Sequence, residues 1–548
     1  MGAIQSLSTN LSAQILRIHS HTWLVHPNRS LAASNTGLRP TALLAKIYGR
    51  CPTCYRIILL IPRNIFMKRR VSKHFRLNNL AAILALLMFA AWPNNLLGQQ
   101  QTTTTEPAQP PSLVRPTVLT RPLTPASSAP ATIAPPTANS APAPVQPAPM
   151  PDIARPPIPT TITGLQGVLV ETLDGRVVAE QAADQAFNPA SAVKLATSLV
   201  ALHNFGVHHR FITAIWTDGT FDASTGTING NLIISGRDPS FHFEHAVMVA
   251  RELNRIGIRT VTGDLVVPPQ FTMNFSWSAQ ASGNSFYDTL DATRRPAAAT
   301  EAWKQERIAL GDVEGLQSAP SVAVMGAVYI GTVPANARML LVHRSSTLPD
   351  ILKVLLCYSN NFMAERIGDN VGGPEAIRQY LIKNLEIRPD EVHLASTSGL
   401  GVNRVTPRAM MKIYRALRDE LAKNHLQPSD ILPVAGIDPG TLEKRFTSAQ
   451  SRGSVIAKTG TLVRTDGGAS ALVGQMNTAN GETMLFVIFN QRGSVWRFRE
   501  NQDTIITQLQ NSRGGPAPFE YHPQALAMRL ANTESESANQ NNEYEPAP

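Results

Sequence analysis

The sequence of this 548-residue chain predicts an α+β (α/β) fold built on an antiparallel sheet, and three runs of pattern carry that prediction. A hairpin opens the folded part, a group of helices follows, and three strands with a last helix close it. In the hairpin, the apolar stretch 165–170 and the stretch 176–179 flank an Asp174-Gly175 turn. A helix is expected at 190–202, then short strand-like runs at 211–219, 226–236 and 260–267, with a helix at 245–256. Residues 269–335, rich in Ala, Ser, Thr and Gly, are poorly patterned, and no element is assigned to them. Helical patterns return at 348–356, 361–368, 374–385 and 406–423. Strands at 455–459, 469–476 and 483–490 and a helix at 496–510 complete the chain.

The composition places most charge outside this folded part. The chain carries 49 Lys and Arg against 39 Asp and Glu. Residues 1–98 hold 12 of those basic residues and no acidic one, which leaves 37 against 39 beyond them. The bulk is therefore near neutral, which argues against a nucleic-acid partner. The basic excess follows from a leader. From Met67, Lys68, Arg69, Arg70, Lys73 and Arg76 precede a 12-residue apolar run at 80–91. That is the length of a secretory signal core and short of the ~20 residues that span a bilayer. Residues 67–98 are accordingly read as a signal peptide, with 1–66 as an upstream extension. The competing reading is an uncleaved leader that holds the exported protein at the membrane through 80–91. Residues 99–161 are a Pro/Thr/Ala-rich tether, since 17 of the 41 prolines fall in 101–160. Residues 162–525 are the folded unit, with an accessory insertion at about 215–345, and 526–548 are read as a disordered acidic tail. The paired Cys51 and Cys54 precede Met67, so Cys357 is alone in the exported part and is expected to be a small buried hydrophobe.

The chemistry concentrates in three short motifs. In NPASAVKLATSLVAL, Ser191 and Lys194 stand three residues apart, which on a helix places them on one face about 5–6 Å apart. Asn188 and Pro189 read as helix-start signals, so Ser191 would lie in the first turn, where free N–H groups favour a developing anion. Lys194 is the sole Asp, Glu, Lys or Arg between Asp184 and Arg210. An ammonium group in such apolar surroundings loses its proton more easily, as a base toward a serine hydroxyl requires. One Ser-x-x-Lys is weak, because chance supplies about one in a chain this long and a snorkelling lysine explains it as well. Ser359-Asn360-Asn361 and then Lys458-Thr459-Gly460-Thr461 follow it in order. Taken singly, Ser359 could be a helix N-cap and Lys458 an edge-strand lysine.

Together the three motifs resemble the penicillin-recognising serine acyltransferases. Within them the chain looks like the D-alanyl-D-alanine carboxypeptidases/endopeptidases of the class C low-molecular-mass penicillin-binding proteins. NLIISGRDPSF, GIRTVTGDLVV, STSGLGVNRVTPRAMMKIYRAL and LPVAGIDPGTLEKRF also match that group. The resemblance implies a β-lactamase/transpeptidase-like fold, with an antiparallel sheet flanked by helices and an all-helical subdomain. The two motif serines are 168 residues apart, which implies a reduced accessory insertion. It implies an acyl-enzyme on Ser191, Lys194 as base, Ser359 as proton relay and Asn361 against the substrate amide. It further implies Lys458 as a source of positive potential, Thr459 and Thr461 at the substrate carboxylate, and Gly460 leaving room for the substrate backbone. Backbone N–H groups of Ser191 and Thr461 would form the oxyanion hole. The implied partners are peptidoglycan stem peptides, with β-lactams as covalent inhibitors and no metal or cofactor. A β-lactamase or esterase with the same serine and lysine is the enzymatic alternative, and a catalytically weak wall-binding scaffold the non-enzymatic one. His203, His208, His209, His242 and His245 show no ligand spacing and are read as surface or loop residues.

Overall fold

The computed structural model describes residues 162–538. The expected extension at 1–66, leader at 67–98, tether at 99–161 and the end of the tail from 539 lie outside the described residues. The α+β fold is as the sequence predicts. Its centre is a five-stranded, wholly antiparallel sheet in the order Val455–Leu462, Ala469–Asn477, Thr483–Gln491, Leu165–Thr172, Val177–Gln181. The strand carrying Lys458 is thus at one edge. Both faces of the sheet are covered, which is why Thr483–Gln491 (TMLFVIFNQ) is apolar throughout its middle instead of alternating. Leu485, Val487 and Phe489 point into the core shared with the helical part. Phe486 and Ile488 point the other way, against Ile505 and Ile506 of the helix Val495–Asn511.

The helical part packs Lys194–Phe205, Leu348–Tyr358, Asn361–Asn370, Gly373–Leu385 and Pro407–Lys423 around one core that includes Leu199, Leu352, Met363 and Tyr414. Between the first two of these helices the chain makes five strands of a separate mixed sheet, and the C-terminal segment adds a sixth. Its strand order is Val328–Ile330, Leu265–Val267, Leu232–Gly236, Arg210–Thr217, Arg338–Thr347, Glu534–Ser537. This sheet has its own core, with Ile215, Leu253, Phe241 and Phe286. Arg210–Thr217 pairs with Arg338–Thr347, so the insertion leaves and rejoins the helical part on neighbouring strands.

One unassigned stretch is resolved here and one expectation is corrected. Residues 269–335, poorly patterned in the sequence, contain the helices Ala279–Leu290, Ala297–Ala309 and Val313–Gln317. Ser278 and Asp312 cap two of them by accepting from the N–H groups of Ala281 and Gly315. Their apolar residues are too sparse for a clean period, and packing against the insertion core supplies what propensity lacks. The tail read as disordered from 526 is ordered up to Ala538. Leu526–Ala531 is a helix whose Leu526 packs on Val354 and Cys357, and Glu534–Ser537 adds an edge strand to the insertion sheet. Its acidic residues find cations there, Glu534 with Arg210 and Glu536 with Arg344. Among the described residues no helix is long and apolar enough to cross a membrane.

Candidate active site

Ser191 lies on a 3-10 turn, Ala190–Val193, that runs directly into the helix Lys194–Phe205. The start signals read from the sequence work locally. Asn188 Oδ1 accepts the N–H of Ala190 at 3.0 Å, and Pro189 fixes the entry to the turn. Ala190 has φ of 47°, so the turn is held in a conformation that non-glycine residues seldom adopt. Two glycines let other segments press against it. A Cβ on Gly460 would lie 2.5 Å from the Pro189 carbonyl oxygen, and one on Gly399 1.9 Å from that of Ala190. The glycine of Lys-Thr-Gly-Thr is therefore required by the Ser191 turn behind the strand.

Lys194 is completely buried, and its Nζ meets three oxygens: Ser191 Oγ at 3.1 Å, Asn361 Oδ1 at 2.7 Å and the Ser398 carbonyl at 2.6 Å. None of the three carries a charge. Burial, and then the neighbouring Lys458, push the ammonium well below the ordinary lysine range, while Glu365 opposes them. A neutral amine has two N–H bonds and one lone pair. In that form Asn361 and Ser398 would accept the two N–H bonds, and the lone pair would face the Ser191 hydroxyl. That is the state of a base poised to take the Ser191 proton.

Ser359 is the C-cap of Leu348–Tyr358, in the left-handed region at φ 55°, and Asn360 is the N-cap of Asn361–Asn370, accepting from Met363 N–H. The N-cap role that Ser359 could have filled falls to Asn360. The Ser359 hydroxyl instead accepts from Lys458 Nζ at 2.8 Å. Lys458 is as buried as Lys194 and also donates to the Thr459 carbonyl at 2.8 Å; burial brings its pKa down to about 7. Thr459 is buried, and Thr461 Oγ1 accepts from Arg499 Nη2 at 2.8 Å. The structure thus joins Ser191, Lys194 and Asn361 in one hydrogen-bonded group and Ser359 and Lys458 in another, with Gly460 against the Ser191 turn.

Sequence reasoning did not single out three further contributors. The Ser398 carbonyl belongs to the STSGLG segment, whose signal was a family pattern without a chemical role. Glu365 accepts from Thr397 Oγ1 at 2.7 Å and from Ser398 N–H at 3.0 Å. Asp466, in the turn between Val455–Leu462 and Ala469–Asn477, accepts from Asn188 Nδ2 at 2.7 Å and takes both Arg404 nitrogens at 2.8 and 2.9 Å. The Arg404 hydrogen bonds hold its carboxyl below the usual range. Nothing in a one-dimensional pattern ties Asp466 to Asn188, 278 residues away.

Among the described residues no group of three or more His, Cys, Asp and Glu is placed to hold a metal ion. His203 and His208 are exposed as expected, but His245 is buried in the helix Phe243–Arg255, with Nε2 3.3 Å from the Leu530 carbonyl. It helps to seat the C-terminal segment. Cys357 is buried, and burial pushes its thiol up to about 12.

The model of the D-Ala-D-Ala carboxypeptidase 3 (S13) family matches residues 153–300 and 313–511. The chain is 26% identical over 390 residues to the D-alanyl-D-alanine carboxypeptidase DacB of Haemophilus influenzae, covering 55% of this chain and 79% of that protein. It is 25% identical over 447 residues to the D-alanyl-D-alanine carboxypeptidase of Actinomadura sp. strain R39, covering 64% and 82%. Among solved structures, the penicillin G-acylated predatory endopeptidase Bd3459 of Bdellovibrio bacteriovorus, in complex with an immunity protein, has the same fold. Its TM-score is 0.58 at 23% identity, over 68% of this chain and 99% of that one.

Proposed function

The chain belongs to the D-Ala-D-Ala carboxypeptidase 3 (S13) family, and from that membership we propose how its own residues cleave peptidoglycan stem peptides. It is a serine peptidase that breaks the bond after D-alanine, at free stem ends and in crosslinks, and β-lactams acylate the same serine. The observation that carries this reading is the buried Lys194 amine, held by Asn361 and the Ser398 carbonyl with Ser191 Oγ at 3.1 Å.

Ser191 Oγ attacks the carbonyl carbon of the penultimate D-alanine as its proton passes to Lys194. The carbonyl electron pair moves onto oxygen, where the N–H groups of Ser191 and Thr461 receive it; such a pair is worth about 3–4 kcal/mol. When the tetrahedral species collapses, the C–N bond breaks and the proton that Lys194 took passes through Ser359 to the leaving amine, which returns Lys194 to its neutral form. Lys458, donating to Ser359 Oγ at 2.8 Å, orients that hydroxyl for the transfer. Asn361 holds the acyl-side amide, and Thr459 and Thr461 meet the terminal carboxylate. Water then attacks the ester on Ser191 as Lys194 takes its proton, the acyl C–O bond breaks, and Lys194 returns the proton to Ser191 Oγ, which restores the serine.

A wall substrate requires an exported enzyme, and the leader at 67–98 and the near-neutral remainder of the chain support a periplasmic or other extracytoplasmic location. N-terminal sequencing of the protein from its native cell tests this: a mature end near residue 99 supports a cleaved leader, an intact 80–91 an anchored one. The reaction itself is tested with a fluorescent penicillin and with crosslinked and uncrosslinked muropeptides. Wild type forms a covalent adduct and releases D-alanine, whereas Ser191→Ala does neither; an adduct in Ser191→Ala overturns the assignment.

A further inference from the structure

We infer that Glu365 is a positioning residue for this reaction, fixing the Ser398 carbonyl against Lys194 and placing a negative charge behind the base. The inference rests on the Ser191 and Lys194 roles proposed above.

The geometry is a two-sided clamp on one loop. Glu365 projects from the helix Asn361–Asn370, one turn after Asn361. Its Oε1 accepts the N–H of Ser398 at 3.0 Å, and Oε2 accepts the Thr397 hydroxyl at 2.7 Å and the Thr397 N–H at 3.3 Å. On the other side of the same peptide, the Thr397 carbonyl accepts from Thr197 Oγ1 at 2.7 Å, and Thr197 lies three residues after Lys194 on its helix. The next carbonyl, that of Ser398, takes the Lys194 N–H at 2.6 Å. Gly368 belongs to this clamp as well, because a Cβ there would lie 2.3 Å from Thr397 Oγ1. One carboxylate thus fixes the segment that supplies an acceptor to the base.

A neutral staple would serve the placement alone, and an amide could make most of these contacts. The charge has a separate consequence. The oxygens around Lys194 are neutral, and the charged groups whose fields reach it are Lys458 from the edge strand and Glu365 from the helix. When Lys194 takes the Ser191 proton, it becomes a buried cation close to a second lysine. Glu365 lowers the cost of that state, which keeps Lys194 basic enough to act despite its burial.

The test is the pH dependence of acylation by a fluorescent penicillin in Glu365→Gln. Removing the charge makes Lys194 easier to deprotonate, so the acidic limb of the rate profile moves to lower pH by about one unit. Glu365→Asp, which keeps the charge, retains most of the wild-type profile. A purely structural role lowers the rate at every pH without moving the limb, and an unmoved limb in Glu365→Gln overturns the inference. If Glu365→Gln does not fold, Glu365→Asn removes the same charge with a smaller amide. A limb that does not move in that variant is equally fatal. Failure of the underlying reading would look different, since Ser191→Ala would then still be labelled.

Discussion

Ser398 presents its carbonyl oxygen to Lys194 Nζ at 2.6 Å, across 204 residues of sequence. A main-chain acceptor cannot be supplied with a proton, so it continually draws one N–H of the amine toward itself and away from Ser191. Together with Asn361 it sets where the lone pair points.

Lys194→Arg follows from that arrangement. A guanidinium stays charged and has no lone pair to offer, so its positive charge is preserved and its basicity lost. Acylation by fluorescent penicillin is expected to slow about 10²–10⁴-fold, the usual contribution of a general base. A rate within tenfold of wild type in stopped-flow labelling would exclude Lys194 as that base.

Lys458 makes stability depend on pH in an unusual direction. Its folded pKa is lowered to about 7 from 10.5, so between those values the unfolded chain binds a proton that the folded protein does not. Raising the pH through that window therefore stabilises the fold. Thermal melts from pH 7 to 9 should show a steeper upward drift in wild type than in Lys458→Met; parallel curves contradict the prediction.

Gly399→Ala places a methyl group 1.9 Å from the Ala190 carbonyl oxygen, at a residue with φ of 85°. Neither the backbone contact nor the dihedral can be relieved by moving a flexible side chain. A loss of about 2 kcal/mol is expected, within the range for overpacking, together with loss of labelling because the Ser191 turn must shift. Urea denaturation and penicillin labelling of the same preparation measure both.

Asp466→Ala separates Asn188 from Arg404 while leaving Ser191 and Lys194 untouched. The ion pair is partly exposed, so its stability contribution is about 1 kcal/mol at most. The acylation rate should fall roughly tenfold through misplacement of the Ser191 turn, with the melting temperature changed by only a few degrees. Equal, large losses in both would mean that Asp466 acts on the fold instead.

Removing residues 526–548 tests the ordered C-terminal segment. Leu526 would leave Val354 and Cys357 uncovered, Arg529 would leave Asp350, and Arg338–Thr347 would become an open sheet edge. The truncated protein should melt several degrees lower and be cut by protease within the insertion. A tail of no structural consequence would leave both unchanged.

The parts of the fold that were legible in the sequence are those where local pattern and tertiary environment agree. The hairpin 165–181, the helix after Pro189 and the three closing strands all have apolar runs bounded by their own turn chemistry. The helices at 279–317 were hidden because their buried residues, such as Phe286, Leu290 and Trp303, are few among small and polar ones. The acidic segment 534–537 resembles solvated chain until Arg210 and Arg344 are placed opposite it. In the site, Ser191, Lys194, Ser359 and Lys458 could be found because side chains at fixed short spacing leave a motif. The Ser398 contribution is a carbonyl group, which every residue has, and the role of Glu365 depends on a loop 32 residues away.

The place of Leu165–Thr172 in the central sheet has a consequence for how the protein is made. This strand lies between Thr483–Gln491 and Val177–Gln181, so the first strand of this sheet to leave the ribosome waits for one made more than 300 residues later. The sheet that carries Lys458 cannot close until synthesis is almost complete, and its closure joins distant ends at the slow rate of non-local pairing. Until then the nascent chain has no finished catalytic sheet. A chain that stays open for so long remains threadable, and the topology itself separates translation from the appearance of a working enzyme.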